Sequence, residues 1–141
     1  MAGQGDRGDA SLTGGIHELM GSAFPVAEAD RVVATMEVGP HLHQPFGIMH
    51  GGASVVLAES AASLGTWLNC DPDHERAVGI EINANHLRAI RTGRLTAEAT
   101  PLHRGRSTMV WDIRIRDEQN RLICISRCTV ARIGGGAREP S

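Results

Sequence analysis

The sequence has no lysine and no tyrosine; all 14 of its cationic side chains are arginine. These absences exclude a lysine Schiff base, the lysine of a phosphate-binding loop and a tyrosine acid or base. Aromatic residues are scarce too: Phe24, Phe46, Trp67 and Trp111. That is too few for a stacking platform that holds single-stranded nucleic acid. A net charge of −2 adds no bulk attraction to a polyanion. Cysteine is limited to Cys70, Cys124 and Cys128, an odd number. On one strand face Cys124 and Cys128 would lie about 13 Å apart, too far for a disulfide. Reduced thiols and a cytoplasmic location are therefore expected. The first fifteen residues hold no apolar run, so no secretion signal is expected. The longest apolar stretch, residues 51–68, is too short and too polar for a membrane span.

What is present suffices for one packed domain. The chain has 141 residues, 41% hydrophobic and 21% charged, which rules out wholesale disorder. Residues 1–14 and 134–141, rich in glycine and polar groups, are expected to be flexible tails around a domain at 15–133. The first tail spells a dinucleotide-binding pattern from Gly3 to Gly8 and an adhesion tripeptide at Arg7-Gly8-Asp9. Neither has the context that gives such a motif meaning, since no strand precedes the first.

Within the domain, residues 16–21 suit a short helix. Arg31–Val38 alternates, with Val32, Ala34, Met36 and Val38 on one face, as a half-buried strand does. A loop broken by Pro40, Pro45 and Gly47 follows. Residues 51–68, eighteen without a proline, are too many for a strand and form a helix. Four further strands fit residues 78–86, 94–102, 107–116 and 121–133. Their inward faces are Ile80, Ile82 and Ala84; Leu95, Ala97 and Ala99; Met109, Trp111, Ile113 and Ile115; and Leu122, Cys124, Ser126, Cys128 and Val130. Asp117-Glu118-Gln119-Asn120 is a hairpin turn between the last two strands. Short connections favour antiparallel neighbours. A helix apolar nearly all round must be covered on most sides. An α+β fold results, a curved antiparallel sheet wrapped around one long helix, with a second copy of the chain expected against the remaining helix face.

Glu59 is the one charged residue of that helix. A carboxylate in apolar surroundings is costly unless paired or put to work, and a base is the obvious work. Ser63 and Thr66, one and two turns on, share its side of the helix. The helix opens at His50-Gly51-Gly52, where unpaired N–H groups and positive potential favour a developing oxyanion. Gly51 and Glu59 are eight residues apart, about 12 Å along the axis. One reacting carbon cannot touch both. Two helices antiparallel across a two-fold axis would bring the Gly51 of one chain to the Glu59 of the other.

Other chemistries are poorly supported. His41, His43 and His50 have no cysteine or carboxylate at ligand spacing, so no metal centre is expected. Asp71, Asp73 and Glu75 lack the glycine and late glutamate of a calcium loop. Ser54 is not part of a nucleophile elbow, because position 56 is Val56. No cysteine has a histidine or helix start beside it, so thiol catalysis is not expected. Arginine does cluster at two turns: Arg88, Arg91 and Arg94 at one, Arg104 and Arg106 with His103 at the other. Such forks suit phosphate oxygens.

The run Gln44-Pro45-Phe46-Gly47-Ile48-Met49-His50-Gly51-Gly52-Ala53, with Glu59 and Ser63 beyond it, resembles the hotdog-fold acyl-CoA thioesterases. The nearer branch holds 1,4-dihydroxy-2-naphthoyl-CoA and glutamate-type 4-hydroxybenzoyl-CoA thioesterases. Residues 79–88 and 101–105 strengthen the resemblance, which covers roughly residues 15–133. It implies hydrolysis of an acyl-CoA thioester to free acid and CoA, by dimers often paired into tetramers with the active site at the subunit interface. It implies no cofactor, CoA being part of the substrate, and neither nucleic-acid nor membrane partners. It makes Glu59 the nucleophile or general base and the Gly51 N–H the group that polarises the carbonyl. Gln44 and His50 would orient the thioester, and Ser63 would support the glutamate or its water. Val78 would border the ligand. Asn85, His86, Leu87 and Arg88, and Leu102, His103, Arg104, Gly105, Arg106 and Ser107, match the segments that hold the CoA moiety. The acyl group is expected to be aromatic, with Trp67 and Phe46 placed to stack on it; naphthoyl, benzoyl, phenylacetyl and medium aliphatic acids all stay open. Two other functions fit the resemblance: a non-catalytic acyl-CoA-binding protein, and a hotdog-fold enoyl-CoA hydratase, whose usual Asp/His pair is not found.

Overall fold

The run from Gly51 onward has small and straight-chain residues and no proline, and in a computed structural model of residues 14–134 it forms the helix α2, Gly51–Trp67. Leu68, expected as its last residue, is the C-cap instead. The elements before it are α1 (Gly15–Met20), β1 (Ala23–Glu28), β2 (Arg31–Val38) and a 3₁₀ turn at Pro40–Leu42. After it come β3 (Glu75–His86), β4 (Gly93–Arg104), β5 (Thr108–Arg116) and β6 (Leu122–Gly134). Apart from Gly14 and Gly134, the expected tails and the motifs at residues 3–9 lie outside the described residues.

The strands form one sheet in the order β1-β2-β4-β5-β6-β3, every neighbouring pair antiparallel. The sheet wraps α2, which touches all six strands. Close approach depends on small helix residues: Ala53, Ala58, Ala61, Ala62 and Gly65 are buried. At Gly65 the Trp111 ring lies directly on the helix, in the space a β-carbon would take. The Trp111 indole N–H donates to Thr66 Oγ1 at 2.9 Å, and the Thr66 hydroxyl donates to the Ala62 carbonyl at 2.9 Å. This satisfies two polar groups buried in the core.

The inward faces expected for β2, β4 and β5 are buried, as are Cys124, Ser126, Cys128 and Val130 on β6. Three readings need correction. Leu122, expected inward on β6, is only half-buried and Ile123 is buried in its place, because the register of β5 against β6 shifts between Ile115 and Arg116. The segment β1 was not anticipated, because Pro25 breaks its pattern; proline is tolerated there because β1 is an edge strand. Ile80 does not share a face with Ile82 and Ala84. The register of β3 against β6 shifts between Gly79 and Glu81, so Ile80 is an extra residue and stands 58% exposed.

The turn after β5 is closed by Asp117. Its carboxylate accepts the N–H of Gln119 at 3.0 Å, the N–H of Arg121 at 2.8 Å and the Arg121 Nε–H at 2.7 Å. Asn120 takes the left-handed conformation there, at φ 64°. Burial pushes the Asp117 carboxyl up, but the Arg121 N–H and guanidinium and the Gln119 N–H together outweigh it and hold it below its ordinary range. A depressed folded value means that this stabilisation is full above the ordinary carboxylate range and is lost as pH falls through the folded value. Asp117→Asn is therefore expected to melt below the wild type at neutral pH. In melts recorded against pH, the gap between the two proteins should close as the solution is acidified.

Candidate active site

Glu59 sits mid-helix and half-buried, with its carboxylate against the backbone of β3. A methyl group on Gly79 would lie 2.8 Å from a Glu59 carboxylate oxygen, so glycine is what admits the carboxylate there. Among the described residues Glu59 makes no hydrogen bond or ion pair. It opens on a cavity of about 380 Å³, whose wall on the helix side is Ser60, Ser63, Leu64 and Trp67. Ser63 is thus beside the acid without a bond to it. Thr66, expected on the same side, is instead turned to the core, fully buried in its bond with Trp111. His17, Arg76 and Ala77 complete the cavity. His17 carried no sequence signal, since nothing fixes where a six-residue helix docks. Arg76 and Ala77 were missed because β3 begins at Glu75, three residues before its expected start.

The start of α2 is set up differently. His50 caps it: its Nδ1 accepts the Gly52 N–H at 2.8 Å, and its carbonyl accepts the Ala53 N–H at 3.0 Å. The acceptor role of Nδ1 places the ring proton on Nε2. The Gly51 N–H makes no hydrogen bond among the described residues and is free to meet a ligand. Gln44 is held by the tight loop before the helix, where its Oε1 accepts the Phe46 N–H. That leaves its amide NH₂ to donate elsewhere. Phe46 stands 84% exposed at the loop tip. Gln44 and Gly51 line a second cavity of about 330 Å³ with His86, Leu87 and Arg88.

Glu59 and Gly51 therefore face different cavities in one protomer, and the ligand segments divide with them. Arg104 is in register with Met109, Val130 and Gly79, which places the β4–β5 turn at the Glu59 end of the sheet. His86 is in register with Cys124, Ile115 and Ala97, at the Gly51 end. The two ends are about 20 Å apart along β3. Val78, beside Gly79, is 46% exposed at the Glu59 end. Asn85 stands at the other end, while Leu102, His103, Gly105, Arg106 and Ser107 surround the β4–β5 turn, lining neither cavity.

The arginines separate by partner. Arg91 donates to the Gly47 carbonyl and Arg94 pairs with Glu37 at 2.8 Å, so both are occupied in holding loops. Among the described residues the guanidinium groups of Arg88, Arg104 and Arg106 have no hydrogen bond or ion pair and are available to anions. The three cysteines are buried and form no disulfide among the described residues. Burial, with smaller contributions from the Glu59 and Glu81 carboxylates, pushes the Cys128 thiol up to about 12, which makes it inert as a nucleophile.

A long helix swaddled by a six-stranded antiparallel sheet is the hotdog fold. Residues 46–124 match the family model of the thioesterase superfamily. The chain belongs to the thioesterase superfamily and is a thioesterase. It is 50% identical over 117 residues to the 1,4-dihydroxy-2-naphthoyl-CoA hydrolase of Listeria monocytogenes, covering 83% of this chain and 94% of that one. A Pseudomonas aeruginosa thioesterase, crystallised as a glutamine-to-alanine mutant, matches with a TM-score of 0.86 at 43% identity over 92% of this chain and 93% of its own. A Staphylococcus aureus thioesterase, crystallised as glutamate-to-alanine and glutamine-to-alanine mutants, matches with TM-scores of 0.83 and 0.80 at 41% and 42% identity, over 85% and 82% of this chain and 99% and 95% of its own.

Proposed function

We propose that this thioesterase hydrolyses an aromatic acyl-CoA at sites built jointly by two copies of the chain. The observation that carries the proposal is the division of the machinery. An acid without an amide and an amide without an acid line separate cavities, about 12 Å apart along α2. An antiparallel two-fold pairing of α2 joins each Glu59 to the partner's Gly51 and forms both sites at once. The surfaces for such pairing exist. The strand β3 is a free sheet edge with Val78 and Ile80 exposed, and Val55 and Val56 on α2 are only half-buried.

In such a site the Gly51 N–H, with the Gln44 amide beside it, holds the thioester oxygen as negative charge develops. Glu59 then adds to the carbonyl carbon or takes a proton from the water that does. Ser63 steadies the carboxylate or its water. The partner's Arg88 joins Arg104 and Arg106 in reach of the CoA phosphates. No cofactor enters. Trp67 and the loop-tip Phe46 offer the acyl group aromatic surface, in keeping with the naphthoyl substrate named for the Listeria relative. The S. aureus mutants remove a glutamine and a glutamate at the same separation as Gln44 and Glu59, which supports this pair as the functional one. Buried reduced thiols favour a cytoplasmic home.

Two measurements test this. Thiol release from benzoyl-, phenylacetyl-, 1,4-dihydroxy-2-naphthoyl- and hexanoyl-CoA should be faster for the aryl esters; a preference for hexanoyl-CoA rejects the aromatic assignment. Mixing two inactive variants tests the shared site. Glu59→Gln removes the acid. Gly51→Pro removes the amide; the backbone of His50, at φ −63° and ψ 131°, admits a following proline, whose ring displaces only the exposed His86 of the half-site that is already inactive. Unfolding and refolding the equimolar mixture should restore about a quarter of wild-type activity, because half the dimers then carry one intact site. No recovery places both groups in one chain.

A further inference from the structure

His86 ends β3 with its ring exposed and without a hydrogen bond among the described residues. It is nevertheless aimed at the first residue of α2. A methyl group on Gly51 would lie 2.8 Å from His86 Nε2, 3.1 Å from Cε1 and 3.2 Å from Cδ2. The edge of the imidazole thus takes the place that a side chain at position 51 would need. Glycine at the helix start does two things: it exposes an N–H, and it makes room for a ring nitrogen next to that N–H. Both open on the cavity that leads to Arg88. Of the histidines, His50 is committed to capping through Nδ1, whereas both nitrogens of His86 are unengaged.

A thioester whose oxygen rests on the Gly51 N–H has its sulfur two bonds from that oxygen. The Arg88 side of the cavity is the CoA side, so the sulfur is the atom that faces His86. We infer that His86 is the acid that protonates the leaving thiol; the inference rests on the thioester site proposed above. As the tetrahedral intermediate collapses, the carbon–sulfur bond breaks and its electron pair passes to sulfur. The His86 Nε2–H proton follows to sulfur, and the exposed ring regains a proton from solvent. The donor is the imidazolium form of the ring, which is left as neutral imidazole; Glu59 releases to solvent the proton it took from water as the ring takes one up, so the sum is thioester and water to carboxylic acid and thiol.

A donor to sulfur matters only when the thiol is a poor leaving group, and this separates the inference from a role in holding CoA. His86→Ala and His86→Gln are assayed on benzoyl-CoA and on S-(4-nitrophenyl) thiobenzoate, which carries the same acyl group on a far more acidic thiol. Melting curves and oligomeric state of the variants are compared with wild type. The expected result on benzoyl-CoA is a fall in kcat of roughly 10²-fold with KM little changed. Glutamine should do no better than alanine there, since its amide N–H can hydrogen-bond but is not an acid, and on the nitrophenyl ester the loss should be under about threefold for both variants. Equal losses on both esters, or a change confined to KM, assign His86 to binding or packing and overturn the inference. Wild-type activity with unaffected variants overturns it while leaving the thioester site standing. Wild type inert on both esters refutes the underlying function and the inference with it.

Discussion

Glu59→Gln should lower turnover roughly 10³-fold or more on any CoA ester the protein accepts, while CoA-ester binding changes little. The amide has the shape of the carboxylate but neither adds to a carbonyl nor takes a proton from water. Few other properties should change, because Glu59 holds nothing in place: among the described residues it has no hydrogen-bond or ion-pair partner. Its removal also relieves a half-buried charge on an otherwise apolar helix, so the variant should melt no lower than wild type. Thiol release under saturating substrate and calorimetric titration with a non-hydrolysable CoA thioether measure the two halves of this expectation. More than a tenth of wild-type turnover in the glutamine variant would exclude Glu59 as base or nucleophile.

The second large effect is on folding. In Gly65→Ala a single methyl is added to α2 where the Trp111 ring already lies against the backbone. The helix cannot retreat, since the strands contact it along its length, and Trp111 cannot swing without breaking its bond to Thr66. Overpacking of this kind costs about 3 kcal/mol at the upper end of its usual range, and the lost indole bond would leave a buried donor unmet. A fall in melting temperature of roughly 10 °C is expected. Trp111→Phe in the same background, which removes the indole bond but shrinks the ring, should recover part of the loss; no recovery would locate the strain elsewhere.

The sequence-level reading succeeded where one periodicity governed a long segment. The helix at 51–67 and the strands β2, β4 and β5 each bury one regular set of positions, and both antiparallel order and a wrapped sheet follow from short loops and a helix apolar all round. It failed where a single residue breaks the period. Ile80 was placed on the wrong face because a bulge is invisible to strict alternation, and β1 was passed over because of Pro25. Thr66 was grouped with Glu59 on angle alone, when the competing bond with Trp111 decides its direction. For the site, the twelve-ångström argument from helix rise foresaw the separation of acid and amide that the two cavities express. The contact of His86 with Gly51 had no such signal. It depends on where the end of β3 meets the start of α2, and only tertiary structure sets that meeting.

The thinness of α2 limits how this enzyme can diversify. Bulk cannot be added on the side that carries Ala58, Ala61, Ala62 and Gly65, because there the strands rest almost on the peptide chain itself. A lineage adapting to a new acid must therefore work through Ser60, Ser63 and Trp67 on the open side, or through the exposed loop tip bearing Phe46. Adaptation is thereby steered away from the scaffold and onto surfaces that can vary without loosening the fold.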